Sequence, residues 1–463
     1  MPQPTEERQL LKRIYQRLSD KPLQPGDPLY QPVYDNPGCD DPVQLMQTHI
    51  EWNEHESLQM FSGFRGSGKT TELFRLKERL EAQGHVVLYS DALDYINPSE
   101  PVDIADLLVV LAGAFSDALE KNLSINIAGE SYWSRLKHYL TETEVELTEV
   151  SAKAETDSPA KELVGGLKAG LDLKLALRTT PSFRQKLQQV LAQRIGELKN
   201  GVDKFFEDGV RAIRQHRQSD TRIVFIFDSL EQIRGSLSNE QDVIRSVERL
   251  FANHLKLLEL PYLHAVYTVP PWLQFVMPNV AKIVMIPSIR QWNNDDQRSE
   301  CTAGWTALRA LAHKRFGDEG GRRFFGQPNA QGHFAKADKI ITVCGGHFRD
   351  LLLLLREALV RAKSLPVTSE VLDAAIASVR NNFLPIAIDD ARWLDQIARL
   401  RTAALPSVKP EDVNRLTRFL DTHFVLYLTN GKEWYDSHPL IREEVAEIVK
   451  RHGESALPST SST

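Results

Sequence analysis

The sequence predicts an α/β fold built on a doubly wound parallel sheet, and three observations predict it. Gly63-Phe-Arg-Gly-Ser-Gly68-Lys69-Thr70 matches the pattern G-x-x-x-x-G-K-[ST] in full, between a short apolar run and a helical one. Arg222-Ile-Val-Phe-Ile-Phe227 is an unbroken apolar run that ends in Asp228, as a strand buried on both faces would. Further runs at His85–Ser90, Tyr262–Val269 and Lys282–Ile286 alternate with helical patterns, which is the order a parallel sheet requires.

The glycine-rich segment is the most specific of the three. Ser57–Ser62 reads as the strand before it, and Leu73, Leu76 and Leu80 lie at helical spacing after it. With average glycine usage, a chance match in a chain this long is on the order of one in a hundred. Gly63, Gly66 and Gly68 let backbone N–H groups turn inward without a Cβ in the way. Those donors, with the positive end of the next helix, suit phosphate oxygens. The nucleotide-contacting set is therefore Gly63, Phe64, Arg65, Gly66, Ser67, Gly68, Lys69, Thr70 and Thr71. Lys69 is expected to reach the β- and γ-phosphates, and the Thr70 hydroxyl to sit on Mg²⁺. Such a loop also needs a carboxylate for metal and water. Asp228, at the end of an apolar strand, is expected to hold Mg²⁺, and Glu231 either orients the attacking water or opens a helix.

Size and composition bound the rest. A length of 463 residues suggests about three domains. The net charge of −6 gives no general attraction to nucleic acid. Cys39, Cys301 and Cys344 are scattered and odd in number, which argues for a reducing compartment and against a disulfide framework or a zinc site. The first residues lack the layout of a signal peptide, and no apolar run has the length of a membrane span. A cytoplasmic protein without membrane contact is expected. No protease, nuclease or transferase constellation and no paired metal-ligand cluster is evident.

The domains follow from the pattern along the chain. Residues 1–50 read as an N-terminal helix, over 6–18, and an extended Pro/Gly/Asp-rich lead-in, over 21–43. Residues 51–290 hold the sheet core, with a helical insertion at about 121–217. Within it, Thr141–Glu162 lacks apolar periodicity and reads as a mobile excursion. Thr180-Pro181 then opens one long helix, or two broken near Gly201. Residues 291–365 read as a small helical subdomain around Trp305–Phe316, Lys336–Val343 and His347–Ala362. Residues 366–456 end in helix 410–422, a hairpin turning at Asn430-Gly431, and helix 440–451, an order like that of a winged helix. The last segment, 457–463, is a Ser/Thr/Pro tail expected to be disordered.

The phosphate loop, Val224-Phe-Ile-Phe-Asp-Ser-Leu-Glu231, the strand ending at Thr268, and Gly345-Gly-His-Phe-Arg-Asp-Leu351 together resemble the AAA+/STAND group of P-loop ATPases, over roughly residues 45–450. The likeness is to its origin-recognition-like and signalling branches. It implies ATP with Mg²⁺, an ATPase core, a helical lid and a C-terminal winged helix. It casts Asp228 as the Walker B aspartate, Thr268 as sensor 1 and Arg349 as the sensor 2 arginine, with Lys69 and Glu231 completing the catalytic set. Ser229 stands where many relatives place a glutamate, which implies slow hydrolysis. An arginine finger is not identified; Arg234 and Arg290 are candidates by location. The resemblance implies a signalling or defence switch that self-assembles or acts on a partner effector protein. Two readings stand beside it: a DNA-associated origin-recognition-like protein, and a scaffold stabilised by ATP. The C-terminal charges favour a protein-contact module, since Arg415, Arg418 and Lys432 lie among acidic residues.

Overall fold

The fold was analysed in a computed structural model, which describes residues 6–34, 40–127, 132, 174–192, 194–236, 238–277, 282–406 and 410–453. The excursion expected at 141–162 and the tail at 457–463 lie outside the described residues. The chain divides into two compact units. One holds residues 46–62 and 76–284, and the other residues 1–45, 63–75 and 285–463.

The expected strands form. They are β1 (Ser57–Gly63), β2 (Val86–Asp91), β3 (Ile223–Asp228), β4 (His264–Val269) and β5 (Ile283–Ile286), in the sheet order β2-β3-β4-β1-β5. β1–β4, β2–β3 and β3–β4 pair in parallel. Every residue of β3 and of β4 is buried, which is why both read as continuous rather than alternating apolar runs.

In the first unit, α4 (Ile104–Leu123) is buried on nearly every face from Ile104 to Phe115. Asp103 and Asp106 close its start with a capping box. Burial pushes the Asp106 carboxyl up to about 6, and the side chain of Gln188 donates to it. The long helical pattern after Thr180 is two helices, α5 (Pro181–Ala192) and α6 (Ile195–Arg217). Their break is at Arg194, whose backbone is non-helical, and not near Gly201, which lies inside α6. The face Val202, Phe205, Phe206, Val210, Ile213 explains this: its burial outweighs the roughly 1 kcal/mol a mid-helix glycine costs. Phe115 of α4 meets Phe206 at 4.5 Å and Phe225 of β3 at 5.6 Å, centroid to centroid. α7 (Glu240–Asn253) and the short α8 (Leu273–Val276) complete the unit.

In the second unit, α1 (Glu6–Arg17) buries Leu10 and Ile14, and Gly320 of α9 (Thr302–Phe325) lies beside Ile14. α9 is interrupted at Gly317, where the backbone leaves helical geometry. The segment expected to be an extended lead-in ends in a helix, α2 (Pro42–Trp52), which continues into the first unit. Asp41 accepts from Val43 N–H at its start. α3 (Lys69–Ala82) follows the glycine-rich loop. Beyond α9 run α10 (Ala335–Val343), α11 (Phe348–Arg361), α12 (Ser369–Arg380) and α13 (Ile388–Leu400). Then come α14 (Pro410–Asp421), the antiparallel hairpin β6 (Val425–Thr429) and β7 (Glu433–Ser437), and α15 (Arg442–His452). Among the described residues no single helix is long and apolar enough to cross a membrane.

Gly209 and Gly201 of α6 make opposite predictions. A Cβ on Gly209 would lie 2.4 Å from Cε1 of buried Phe115, whereas one on Gly201 would meet nothing within 4 Å. Gly209→Ala is expected to lower stability by about 1–3 kcal/mol, the overlap outweighing the gain in helix propensity. Gly201→Ala should raise it by up to about 1 kcal/mol. Urea unfolding of the two variants checks both signs.

Candidate nucleotide-phosphate site

The loop between β1 and α3 is shaped by glycine where its backbone leaves the ordinary allowed region. Gly66 has φ +87° and Gly68 φ +97°, values that side chains other than hydrogen seldom permit. Ser67 N–H donates to Phe64 O at 3.0 Å, and Glu72 N–H to Gly68 O at 3.0 Å, which closes the loop onto the helix. Lys69 is buried, and its Nζ donates to Gly63 O at 2.9 Å and Phe64 O at 3.1 Å. The ammonium is thus held inside the loop, at the positive end of a 14-residue helix. Thr70 is half-buried and Arg65 is exposed. The hydroxyl of Thr71 accepts Leu23 N–H at 3.0 Å, so its oxygen serves the N-terminal segment.

Two features fit a phosphate ligand. Ser67 Oγ is buried with no hydrogen-bond partner among the described residues. Gly68 has open space where a Cβ would sit. A buried hydroxyl, an anchored ammonium and a helix N-terminus form the donor set that phosphate oxygens require.

Arg349, on a helix far away in sequence, lies against this loop. Its N–H donates to Gly66 O at 3.3 Å, and a Cβ on Gly66 would come within 2.5 Å of the Arg349 Cβ. Its Nε donates to Asp20 Oδ2 at 3.2 Å. Beside it, His347 Nε2 donates to Arg65 O at 3.0 Å. The same ring places Nδ1 2.7 Å from Asp350 Oδ2. Both nitrogens thus face oxygen acceptors. His438 Nε2 and His423 Nδ1 lie 3.2 and 3.6 Å from that same carboxylate oxygen. Burial pushes the Asp350 carboxyl up, but the charge of His347 and bonds from the three rings hold it well below the usual range. Burial, and then the charge of His347, lowers His423 to about 3, so it is neutral. Sequence reading found no ligand cluster here, because these residues meet only through the fold.

The carboxylate residues lie in the other unit. Asp228 is fully buried at the end of β3. Tyr89 O–H donates to its Oδ2 at 2.8 Å, and Ser229 N–H to its Oδ1 at 2.7 Å. Burial, then the charge of Asp228, raises the Tyr89 phenol far above its ordinary range, so it remains a donor. Ser229 is left-handed, with φ +72°. Thr268 Oγ1 accepts Leu230 N–H at 3.1 Å, and buried Glu231 sits in the 3-10 turn Leu230–Gln232. The structure thus joins Asp228, Tyr89, Ser229, Leu230 and Thr268 in one hydrogen-bonded corner. Asp91, opposite Asp228 in the β2–β3 register, has its carboxyl raised, by burial first. Of the two arginine-finger candidates, Arg290 is engaged within its own unit, by Cys301 Sγ and Thr429 O, both at 3.3 Å. Arg234 donates its N–H to Pro98 O at 2.9 Å. Tyr89 and Asp20 were not singled out from sequence; a tyrosine two residues before the end of an apolar strand was the only signal for the first.

No protein-family model and no curated protein matches the chain. Among solved structures it is similar to the Aeropyrum pernix ORC2 protein. The likeness to its ADP form has 12% identity and TM-score 0.39, over 93% of this chain and 97% of that one. To its ADPNP–ADP complexes the values are 12% and 0.35, over 89% and 94%. It is also similar to a Walker-type ATPase of Pyrococcus abyssi, at 10% and 0.37, over 94% and 99%.

Gly66→Ala tests the close approach of Arg349. The new methyl would overlap the Arg349 Cβ in a backbone region alanine avoids. A loss of stability of about 1–3 kcal/mol is expected, measured by thermal or urea unfolding.

Proposed function

We propose that the chain is an ATP-binding, ATP-hydrolysing molecular switch of the AAA+/STAND kind, dependent on Mg²⁺. The observation that carries the reading is Arg349 of α11: its backbone N–H bonds Gly66 O of the phosphate loop, its side chain lies against that glycine, and its Nε pairs with Asp20. A lid-borne cation at that place senses whether a phosphate is present, and its differential affinity for the two states shifts the lid.

The roles follow from residue chemistry. Gly63–Thr71 and Lys69 would hold the phosphates, with Lys69 already fixed by Gly63 O and Phe64 O. In the loop the Thr70 hydroxyl is suited to hold Mg²⁺, and in the other unit the Asp228 carboxylate offers the same oxygen chemistry. The bound metal supplies charge neutralisation on phosphate oxygens. Tyr89 and Ser229 N–H orient the Asp228 carboxylate. Glu231 orients or deprotonates the attacking water, and Thr268, tied to Leu230 N–H, holds the turn that carries Glu231. With Ser229 after the acidic residue, slow turnover suits a switch. Segment 291–365 acts as the lid. Segment 366–456 reports its position to another copy of the chain or to an effector protein. The origin-recognition-like alternative has little support in charge: Arg415 and Arg418 of α14 both pair with Asp390.

Lys69→Ala is expected to weaken binding of a fluorescent ATP analogue at least ~100-fold, the loss of charge-assisted bonds to phosphate. Unchanged affinity sinks the proposal. Arg349→Ala should lower steady-state phosphate release by about 10- to 1,000-fold while affinity changes far less. Equal loss of both would remove the sensing role.

A further inference from the structure

Four side chains of the second unit converge where none of the roles above needs them. His347, Asp350 and His423 are each at least nine-tenths buried, and their ligand atoms all lie within 4.8 Å of one another. His347 and Asp350 come from the start of α11, and His423 from the turn between α14 and β6. An ion pair alone does not need the third ring. The His423 nitrogen that faces Asp350 is Nδ1, 3.6 Å from Oδ2, and the ring lies 4.1 Å from that of His347, centroid to centroid.

We propose that His347 Nδ1, His423 Nδ1 and the Asp350 carboxylate bind a divalent transition-metal ion of the zinc type, with water completing a tetrahedral site. Two imidazoles and a carboxylate are the donor set such ions take, whereas Mg²⁺ prefers oxygen. Bonds of about 2.0–2.1 Å put tetrahedral ligand atoms about 3.3 Å apart. The 2.7 and 3.6 Å separations from Asp350 Oδ2 bracket that value, and all three ligand atoms lie within 4.8 Å of one another.

The surroundings supply the outer shell. The other nitrogen of His347 donates to the backbone carbonyl of Arg65, which fixes a ligating ring in orientation and tautomer. His438 Nδ1 accepts Leu440 N–H, so its proton is on Nε2, 3.2 Å from Asp350. That ring lies beside the ligating carboxylate and is not taken as a ligand. His423 is already neutral. The site bridges helix α11 and the segment before the hairpin.

The test uses the full chain, any affinity tag removed, without nucleotide or Mg²⁺, so its outcome is independent of ATP binding. Elemental analysis after dialysis should find stoichiometric zinc. Co²⁺ added to the chelated protein should give the intense visible absorption of a tetrahedral site. His423→Ala and Asp350→Asn should abolish both while circular dichroism stays native. If either variant fails to fold, the wild type decides: added Zn²⁺ should raise its unfolding temperature, and a chelator should lower it. A folded wild type that retains no metal, gives no Co²⁺ spectrum and shows no Zn²⁺-dependent stabilisation overturns the proposal. So does a folded variant that binds metal as tightly as the wild type.

Discussion

The constraint on which the candidate site depends is the contact between the start of α11 and the phosphate loop. Two hydrogen bonds make it: His347 Nε2 to Arg65 O, and Arg349 N–H to Gly66 O. It is possible only because residue 66 lacks a Cβ, which would otherwise fall 2.5 Å from that of Arg349. The glycine therefore serves two ends, a backbone turn that an L side chain resists and room for another chain segment. His347 bonds the loop carbonyl through one nitrogen while the other lies 2.7 Å from Asp350 Oδ2. Loop, arginine and buried carboxylate are one mechanical assembly.

The sheet was legible because burial on both faces leaves an unmistakable mark. β3 is Ile-Val-Phe-Ile-Phe-Asp, every residue buried, and no helix period accounts for such a run. Helix boundaries were less legible. α2 carries a mixed signal: Asp41-Pro42 is a good start, but the residues before it are rich in turn formers. The break between α5 and α6 was misplaced because glycine reads as punctuation. Gly201 is merely tolerated there, while Arg194 carries no signal for the non-helical backbone it adopts.

The site divides in the same way. The loop residues were legible because chemistry at a fixed local spacing survives in the sequence as a motif. The supporting partners were not. Tyr89 reaches Asp228 across the β2–β3 register, and Asp20 reaches Arg349 from a segment more than three hundred residues away in sequence. His347, Asp350, His423 and His438 come from three places in the chain. Such constellations are products of packing, and no periodicity encodes them.

The burial of α4 has a consequence for the time course of solvent access. Fourteen of its twenty residues are buried, and its start is closed by a capping box. α15 buries only Val445. Amide protons in the middle of α4 should therefore reach solvent only when its whole unit opens, whereas those of α15 exchange through fraying. The two helices thus differ in how readily each opens.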